Sequence, residues 1–425
     1  MIRLLYNVLW PVGLALFLPG YLLKMFRRGA YRRNFGQRLG FYTREVRGRL
    51  RAKRPLWIHA VSVGEVLIAL RLARELQTRS PELPLVLTTT TTTGYALAEK
   101  TAPAPVTVLY SPLDFWPVMR RAFATIAPSK IVLIEAEVWP NMLHEADRRD
   151  VPVVLANARL SHRSEKRFLR FRFALAPMFR KLSLVCVTDA VDTARSQKIG
   201  ARAECIHVTG NIKFDAEQAP AFSAEPRQVL NEIGITSARP ILLGGSTHRG
   251  EEQILAGAFL ELRREFADLF LVIAPRHVER AAEIESLLRG RDLRVCRRSA
   301  PRQTASDVLL IDSTGELANW YNVATVVFIG KSMAAHGGQN PVEAIAAGKP
   351  VMFGPHMENF AAIARALIES DGATCVRNRA EFVGQAARLL RDARERETMV
   401  SRAREVLAPH RGATVRTAEL IRALS

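Results

Sequence analysis

Residues 56–77 read LWIHAVSVGEVLIALRLARELQ, and this stretch sets the class of the fold. Residues 56–61 form an apolar run of strand length, and 66–77 form a helix-length stretch with an apolar stripe. Between them, Ser62-Val63-Gly64-Glu65 is a capping box, in which Ser62 and Glu65 satisfy backbone amides reciprocally. A strand feeding straight into a helix is half of a βαβ unit, and the unit recurs. Strand-length apolar runs follow at 85–90, 106–110, 131–134, 153–156, 184–187 and 206–208, with amphipathic stretches such as 140–149 between them. The polar segment 215–239 interrupts the series, which resumes at 241–244, 269–274, 293–296, 308–311, 323–329 and 351–353. After Glu381 the chain reads as helix alone. Alternation of this kind predicts parallel sheets with helices on both faces. The expected architecture is α/β: two doubly wound, Rossmann-like domains, 55–215 and 240–425, joined by a linker at 216–239. Their cleft would lie at the carboxyl ends of the strands, where open α/β sheets bind ligands.

The chain has 425 residues, 48% hydrophobic and 24% charged, a globular balance that excludes a disordered or collagen-like protein. Its four cysteines, Cys186, Cys205, Cys296 and Cys375, lie far apart without metal-ligand spacing, which argues against a disulfide framework or a zinc module. The formal charge of +20 is concentrated: residues 24–54 hold twelve Lys or Arg and one acid, Glu45. No recognition helix, zinc finger or stacking-aromatic pattern accompanies that charge, so nucleic acid is not an expected partner. The collar follows 20 residues, 4–23, that carry no charge and have Tyr6, Trp10 and Tyr21 near their ends. At ~1.5 Å per residue such a run just crosses a ~30 Å hydrocarbon layer. A membrane anchor over 1–26 is expected, spanning or lying in the interface, with a basic juxtamembrane collar at 27–54 that holds anionic headgroups. A cleaved signal peptide fits less well, since Pro19-Gly20-Tyr21-Leu22 offers no small-residue cleavage site. The positive-inside rule then puts the remaining chain on the cytoplasmic side.

Candidate chemistry gathers at strand ends. Glu65, besides capping, is placed to accept a proton from a substrate hydroxyl. In Glu135-Ala136-Glu137-Val138-Trp139-Pro140-Asn141, two carboxylates end a buried strand, and residues two apart in a strand share a face. Gly210-Asn211-Ile212-Lys213-Phe214-Asp215 closes the first domain, with Lys213 facing a leaving phosphate or a substrate carboxylate, or standing as a solvated linker charge. The second domain has four loops suited to a nucleotide. They are Gly244-Gly245-Ser246-Thr247-His248, with Ser246 and Thr247 as phosphate candidates; Pro275-Arg276; Gly315-Glu316-Leu317; and Asn340-Pro341-Val342-Glu343. Asn340, Pro341 and Glu343 equally fit N-cap, N1 and N3 of a helix. No GxxxxGK[ST] occurs, which argues against a P-loop enzyme.

These stretches, with Asn157-Ala158-Arg159-Leu160-Ser161 and Gly354-Pro355-His356, resemble the 3-deoxy-D-manno-octulosonic acid (Kdo) transferases of lipopolysaccharide synthesis. The resemblance runs from the N-terminal segment nearly to the end, with Ala136 where many members carry Thr. It implies a two-domain GT-B glycosyltransferase that moves Kdo from CMP-Kdo to the lipid A precursor, inverting, without metal or other cofactor, at the inner membrane. Glu65 would be the proton acceptor, with Glu135 and Lys213 stabilising the transition state. Pro275, Arg276, Gly315 to Leu317 and Asn340 to Glu343 would contact CMP. For the acceptor, residues 159–181 hold eight Lys or Arg against Glu165, interleaved with Phe168, Phe171, Phe173 and Phe179. A basic aromatic helix reads as membrane-surface, which nominates Arg163, Lys166, Arg167, Phe168, Arg170 and Phe171, while a core-packed helix is the competing reading. The other functional readings are a GT-B enzyme using a nucleotide-diphosphate sugar on a lipid, and a non-catalytic membrane-anchored binding protein.

Overall fold

A computed structural model describes residues 34–51, 53–159, 162–215, 225–300 and 305–424, with scattered positions before residue 21. It divides into two compact units: Met1–Asp215 with Gly412–Ser425, and Ala216–Arg411.

The described residues of unit 1 hold seven strands: β1 (Leu56–Ala60), β2 (Leu85–Thr89), β3 (Thr107–Tyr110), β4 (Lys130–Ile134), β5 (Val153–Ala158), β6 (Leu184–Val187) and β7 (Ile206–Val208). All pair in parallel, in the order β3-β2-β1-β4-β5-β6-β7. Every residue of β1 is buried, which is why it reads as a continuous apolar run rather than an alternating one. The alternation survives inside the protein: Trp57, Ile131 and Leu133 enter one core layer, while Ile58, Val132 and Ile134 enter the other. The helix Val63–Arg79 covers the second layer with Val66, Ala69, Leu70, Leu72, Ala73 and Leu76. Strand order reverses between β1 and β4, so the crevice of this sheet opens beyond the carboxyl ends of those two strands.

Two expectations change here, and a third lies mostly outside the described residues. The C-terminal helix Ala413–Ala423 belongs to unit 1, not to the domain expected over 240–425. The Asp215 carboxylate accepts from Gly412 N and Thr414 N (both 2.8 Å), Lys130 Nζ donates to the carbonyls of Ile421 and Leu424, and Ile421 joins the core. From residue 34 the collar is part of unit 1: Arg38 is buried, donates to Thr90 O (2.8 Å) and stacks on Tyr110. Arg44, Arg47, Arg49, Arg51, Lys53 and Arg54 remain exposed. The expected anchor lies mostly outside the described residues, among which no helix is long and apolar enough to cross a membrane. Asn7 and Trp10 of this segment touch the body, while Leu4, Val8 and Leu9 are exposed. Asn7 and buried Asn141 exchange amide hydrogen bonds (2.9 and 3.0 Å), and Trp10 stacks on Phe115. Asp114 accepts from the amides of Asn141 (3.1 Å) and Met142 (2.9 Å), capping the helix Pro140–Asp147.

Unit 2 has β8 (Ile241–Thr247), β9 (Phe270–Pro275), β10 (Val295–Arg297), β11 (Val308–Leu310), β12 (Val326–Ile329), β13 (Val351–Phe353) and β14 (Thr374–Cys375), in the parallel order β10-β11-β9-β8-β12-β13-β14. Its reversal lies between β8 and β12. The two-residue, half-buried β14 leaves too short a pattern to be seen in the sequence.

Candidate active site

In unit 1, β1 ends at the capping box and β4 ends one residue before Glu135, so Glu65 and Glu135 stand on either side of the switch point. The capping role of Glu65 is visible. Ser62 Oγ is close to Glu65 N (3.4 Å), while the buried Glu65 carboxylate accepts from Val61 N on Oε2 and from Ser62 Oγ on Oε1, each at 2.8 Å. These bonds fix the carboxylate yet leave lone pairs on each oxygen. Glu135 has φ 62°, a left-handed conformation that costs a non-glycine residue roughly 1–3 kcal/mol. This backbone turn, not the two-residue strand period, sets the directions of Glu135 and Glu137, because β4 has already ended at Ile134.

The electrostatics tie the cluster together. Burial raises the Glu135 pKa, the Glu65 charge raises it further, and Arg159 and Lys213 oppose them. Glu137 is pushed up to about 7 by burial, then by Glu65 and Glu135. Burial lowers the Lys213 pKa, Glu135 pulls it back up, and Arg159 adds to the lowering. The structure thus brings the three nominated residues, Glu65, Glu135 and Lys213, within electrostatic reach of one another and adds Arg159, which the sequence reading did not single out.

The closing motif of unit 1 has one task per residue. Asn211 Oδ1 accepts from Lys213 N (2.9 Å), Ile212 and Phe214 are buried, and Asp215 caps the returning helix. Asn157, itself at φ 54° and buried, accepts from Ile212 N (2.8 Å), and Arg71 donates to Ile212 O (3.0 Å). Lys213 is thus held from β5 and from the helix that begins beside Glu65. Spacing alone could not find these supports, since they come from residues 55 and 141 positions away.

In unit 2, the nominated loops follow β9, β11 and β12 or end β8, all on the carboxyl edge of adjacent strands. The expected phosphate loop is not a loop: Gly244 to Thr247 continue β8. Thr247 is fully buried and its hydroxyl bonds Glu252 Oε1 (3.0 Å), so it is corrected from a ligand contact to a core residue. Ser246, half-buried at φ 54°, remains at the edge. Pro275 ends β9 and is buried; Arg276 is exposed, its amide donating to Thr247 O (3.0 Å). Gly315 has φ 90° with open space where a Cβ would stand, so conformation, not crowding, calls for glycine. Glu316 is engaged with Arg298 (3.2 Å) and Trp320 Nε1 (3.4 Å), and Leu317 starts a helix. Asn340 Oδ1 accepts from Val342 N (3.1 Å), and Nδ2 bonds Glu343 (3.2 Å). The expected register shifts by one: Pro341 is the N-cap of the helix Val342–Ala346, and Asn340 satisfies its first amide from the position before, with Pro341 and Val342 buried. The sequence reading missed Glu251. Fully buried, it accepts from the amides of His248 (2.8 Å), Lys331 (2.7 Å), Ser332 (2.8 Å) and Met333 (3.0 Å), joining the β8 and β12 loops.

The basic aromatic segment splits into two helices, His162–Arg170 and Arg172–Phe179, and so do its roles. Phe168 packs against the core beside buried Phe179 (ring centroids 6.2 Å), which corrects its nomination as an acceptor contact. Phe171 is 48% exposed and Phe173 72%, next to exposed Arg167, Arg170 and Arg172. The side chains of Arg163 and Lys166 lie outside the described residues.

Residues 33–216 match the family model described as 3-deoxy-D-manno-octulosonic-acid transferase (kdotransferase). The 3-deoxy-D-manno-octulosonic acid transferase of Haemophilus influenzae is 34% identical over 403 residues, 92% of this chain and 91% of the relative. That of Bordetella pertussis is 35% identical over 378 residues, 86% of each. The solved UDP-GlcNAc 2-epimerase of Neisseria meningitidis, bound to UDP-GlcNAc, aligns with a TM-score of 0.56 over 87% of this chain and all of that one. At 12% identity that likeness shows the fold alone.

Proposed function

The chain belongs to the Kdo transferase family, and from that premise we propose that it moves Kdo from CMP-Kdo to lipid IVA, the lipid A precursor, releasing CMP. The observation that carries this reading is the grouping of Glu65, Glu135 and Lys213 at the switch point of unit 1, each supplied by a different motif. An acceptor hydroxyl attacks the anomeric carbon of Kdo as the bond from that carbon to the CMP phosphate oxygen breaks. One displacement from the opposite face inverts the centre and needs one base. That base is Glu65, which takes the hydroxyl proton while Val61 N and Ser62 Oγ hold its carboxylate. Glu135 opposes the positive charge that develops at the anomeric carbon. Lys213 and Arg159 make a negative charge tenable on Glu135 beside Glu65. In unit 2, Arg276 offers the leaving phosphate a protein cation in place of a metal ion.

The donor nucleotide belongs to unit 2 in this reading, on Ser246, Arg276, the 315–317 turn and the 340–343 turn. The acceptor belongs to unit 1, with Phe171, Phe173, Arg167 and Arg170 meeting acyl chains and phosphates at the cytoplasmic face of the inner membrane. Exposed cations of residues 44–54 add affinity for anionic headgroups.

The test is Glu65→Gln assayed with CMP-Kdo and lipid IVA, counting products by mass, with CMP binding measured by calorimetry. Transfer should fall ~10²–10⁴-fold while CMP affinity is retained. Wild-type turnover in that variant removes the base assignment. Preference for UDP over CMP would redirect the function to a nucleotide-diphosphate sugar.

A further inference from the structure

Two loops that leave adjacent parallel strands of unit 2 cross beyond the carboxyl ends of β12 and β13, and they bring together His336, His356 and Glu358. His336 Nδ1 lies 3.1 Å from Glu358 Oε1, and His356 Nδ1 lies 3.6 Å from the same oxygen. The imidazole rings lie 3.9 Å apart between centroids, their planes inclined by 49°. One ligand atom from each residue falls within 4.8 Å of the other two. Two ligands of a tetrahedral zinc ion, bound at ~2.0–2.1 Å, stand roughly 3.3–3.4 Å apart. The two measured separations bracket that value.

We propose that His336, His356 and Glu358 form a binding site for a first-row divalent transition metal of the zinc type. Two imidazoles and one carboxylate select such an ion over magnesium or calcium, which prefer all-oxygen sets. The set is also oriented from behind, as metal ligands usually are. Glu358 Oε2 accepts from Gly337 N (2.6 Å), Asn359 N donates to Gly337 O (2.9 Å), and His356 N donates to Ser332 O (2.9 Å). Gly337, at φ 116°, allows the crossing; a side chain there would meet Asn359 Nδ2 at 2.7 Å. Lys331 Nζ, 3.4 Å from the same point, places a positive charge nearby, which weakens the binding of a cation. The ion has no part in bond breaking. It ties the 336–338 turn to the 354–358 loop and so stiffens the segment that continues into Asn340 and Glu343. Three protein ligands leave a fourth position for water.

Calorimetry on the full chain, stripped with chelator and titrated with Zn²⁺, tests the proposal without reference to transfer activity. One equivalent should bind, with a rise in Tm. His336→Ala, His356→Ala and Glu358→Gln should each weaken binding at least tenfold and abolish that rise, while His207→Ala in unit 1 leaves both unchanged. His336 is 75% exposed, so its replacement should not disturb folding, and metal-free melting curves verify this for all three. Cobalt replacement separates this site from the half-buried Cys375. A spectrum without thiolate-to-metal charge transfer supports the proposal. Thiolate charge transfer, undiminished binding in the His336→Ala, His356→Ala double variant, or no binding up to millimolar Zn²⁺ overturns it.

Discussion

Glu251→Gln should unsettle the whole donor edge of unit 2 although the residue touches no ligand. The carboxylate is fully buried and takes two amides on each oxygen: Ser332 and Met333 on Oε1, His248 and Lys331 on Oε2. An amide in its place can accept from one pair only, whichever way it turns, and it presents N–H groups to the other pair. Hydrogen bonds to a charged group contribute ~1.5–3 kcal/mol each, so losing two costs about 3–6 kcal/mol. Removing a buried charge also removes its desolvation penalty, which moves the expectation to the lower end, ~3 kcal/mol. For a unit of this size that is a Tm drop of about 6–12 °C. The same amides hold the segments that lead to Ser246 and to the 340–343 turn, so CMP affinity should fall at least tenfold. Differential scanning calorimetry and CMP titration measure both. A variant that melts within ~2 °C of wild type and binds CMP equally well would falsify the account of Glu251 as the clasp between these loops.

Phe168→Ser should lower Tm, because it costs roughly half the ~3–5 kcal/mol of a fully buried Phe, whereas Phe171→Ser and Phe173→Ser should leave Tm unchanged and weaken binding to anionic vesicles. Equal melting behaviour in all three would return the segment to a single role. Glu137, pushed up to about 7 from about 4.5, holds its proton more tightly in the folded chain, so its contribution to stability declines as pH rises between those values. Glu137→Gln should therefore be the more stable protein at pH 8 and show a flatter stability profile from pH 5 to 7; an unchanged profile counts against the shift. Asn7→Ala should cost unit 1 about 1–3 kcal/mol by leaving buried Asn141 without its amide partner, and deleting residues 1–25 should cost at least as much. An unaltered melting curve after that deletion would mean the N-terminal segment is energetically separate from the body.

What the sequence determined by itself was whatever is local in its physics. Strand-length apolar runs alternating with helical stripes are enough to require parallel sheets, and all but the two-residue β14 were legible this way. Glu65 and Glu135 were also legible, because acids at the carboxyl end of a buried strand lie where such sheets bind ligands. Only the tertiary structure could decide which partners distant segments find. The helix Ala413–Ala423 is amphipathic wherever it packs, and it is the Asp215 carboxylate and the Lys130 ammonium that assign it to unit 1. Phe168 and Phe171 are the same residue type three positions apart, yet one is covered by Phe179 and the other is not. Glu251 reads in sequence as an ordinary acid in the first turn of a helix; its four amides come from both of the loops it joins. Hydrogen bonds and burial depend on which surfaces meet, and that is settled by packing free energy summed over the whole unit, not by the spacing of residues along the chain.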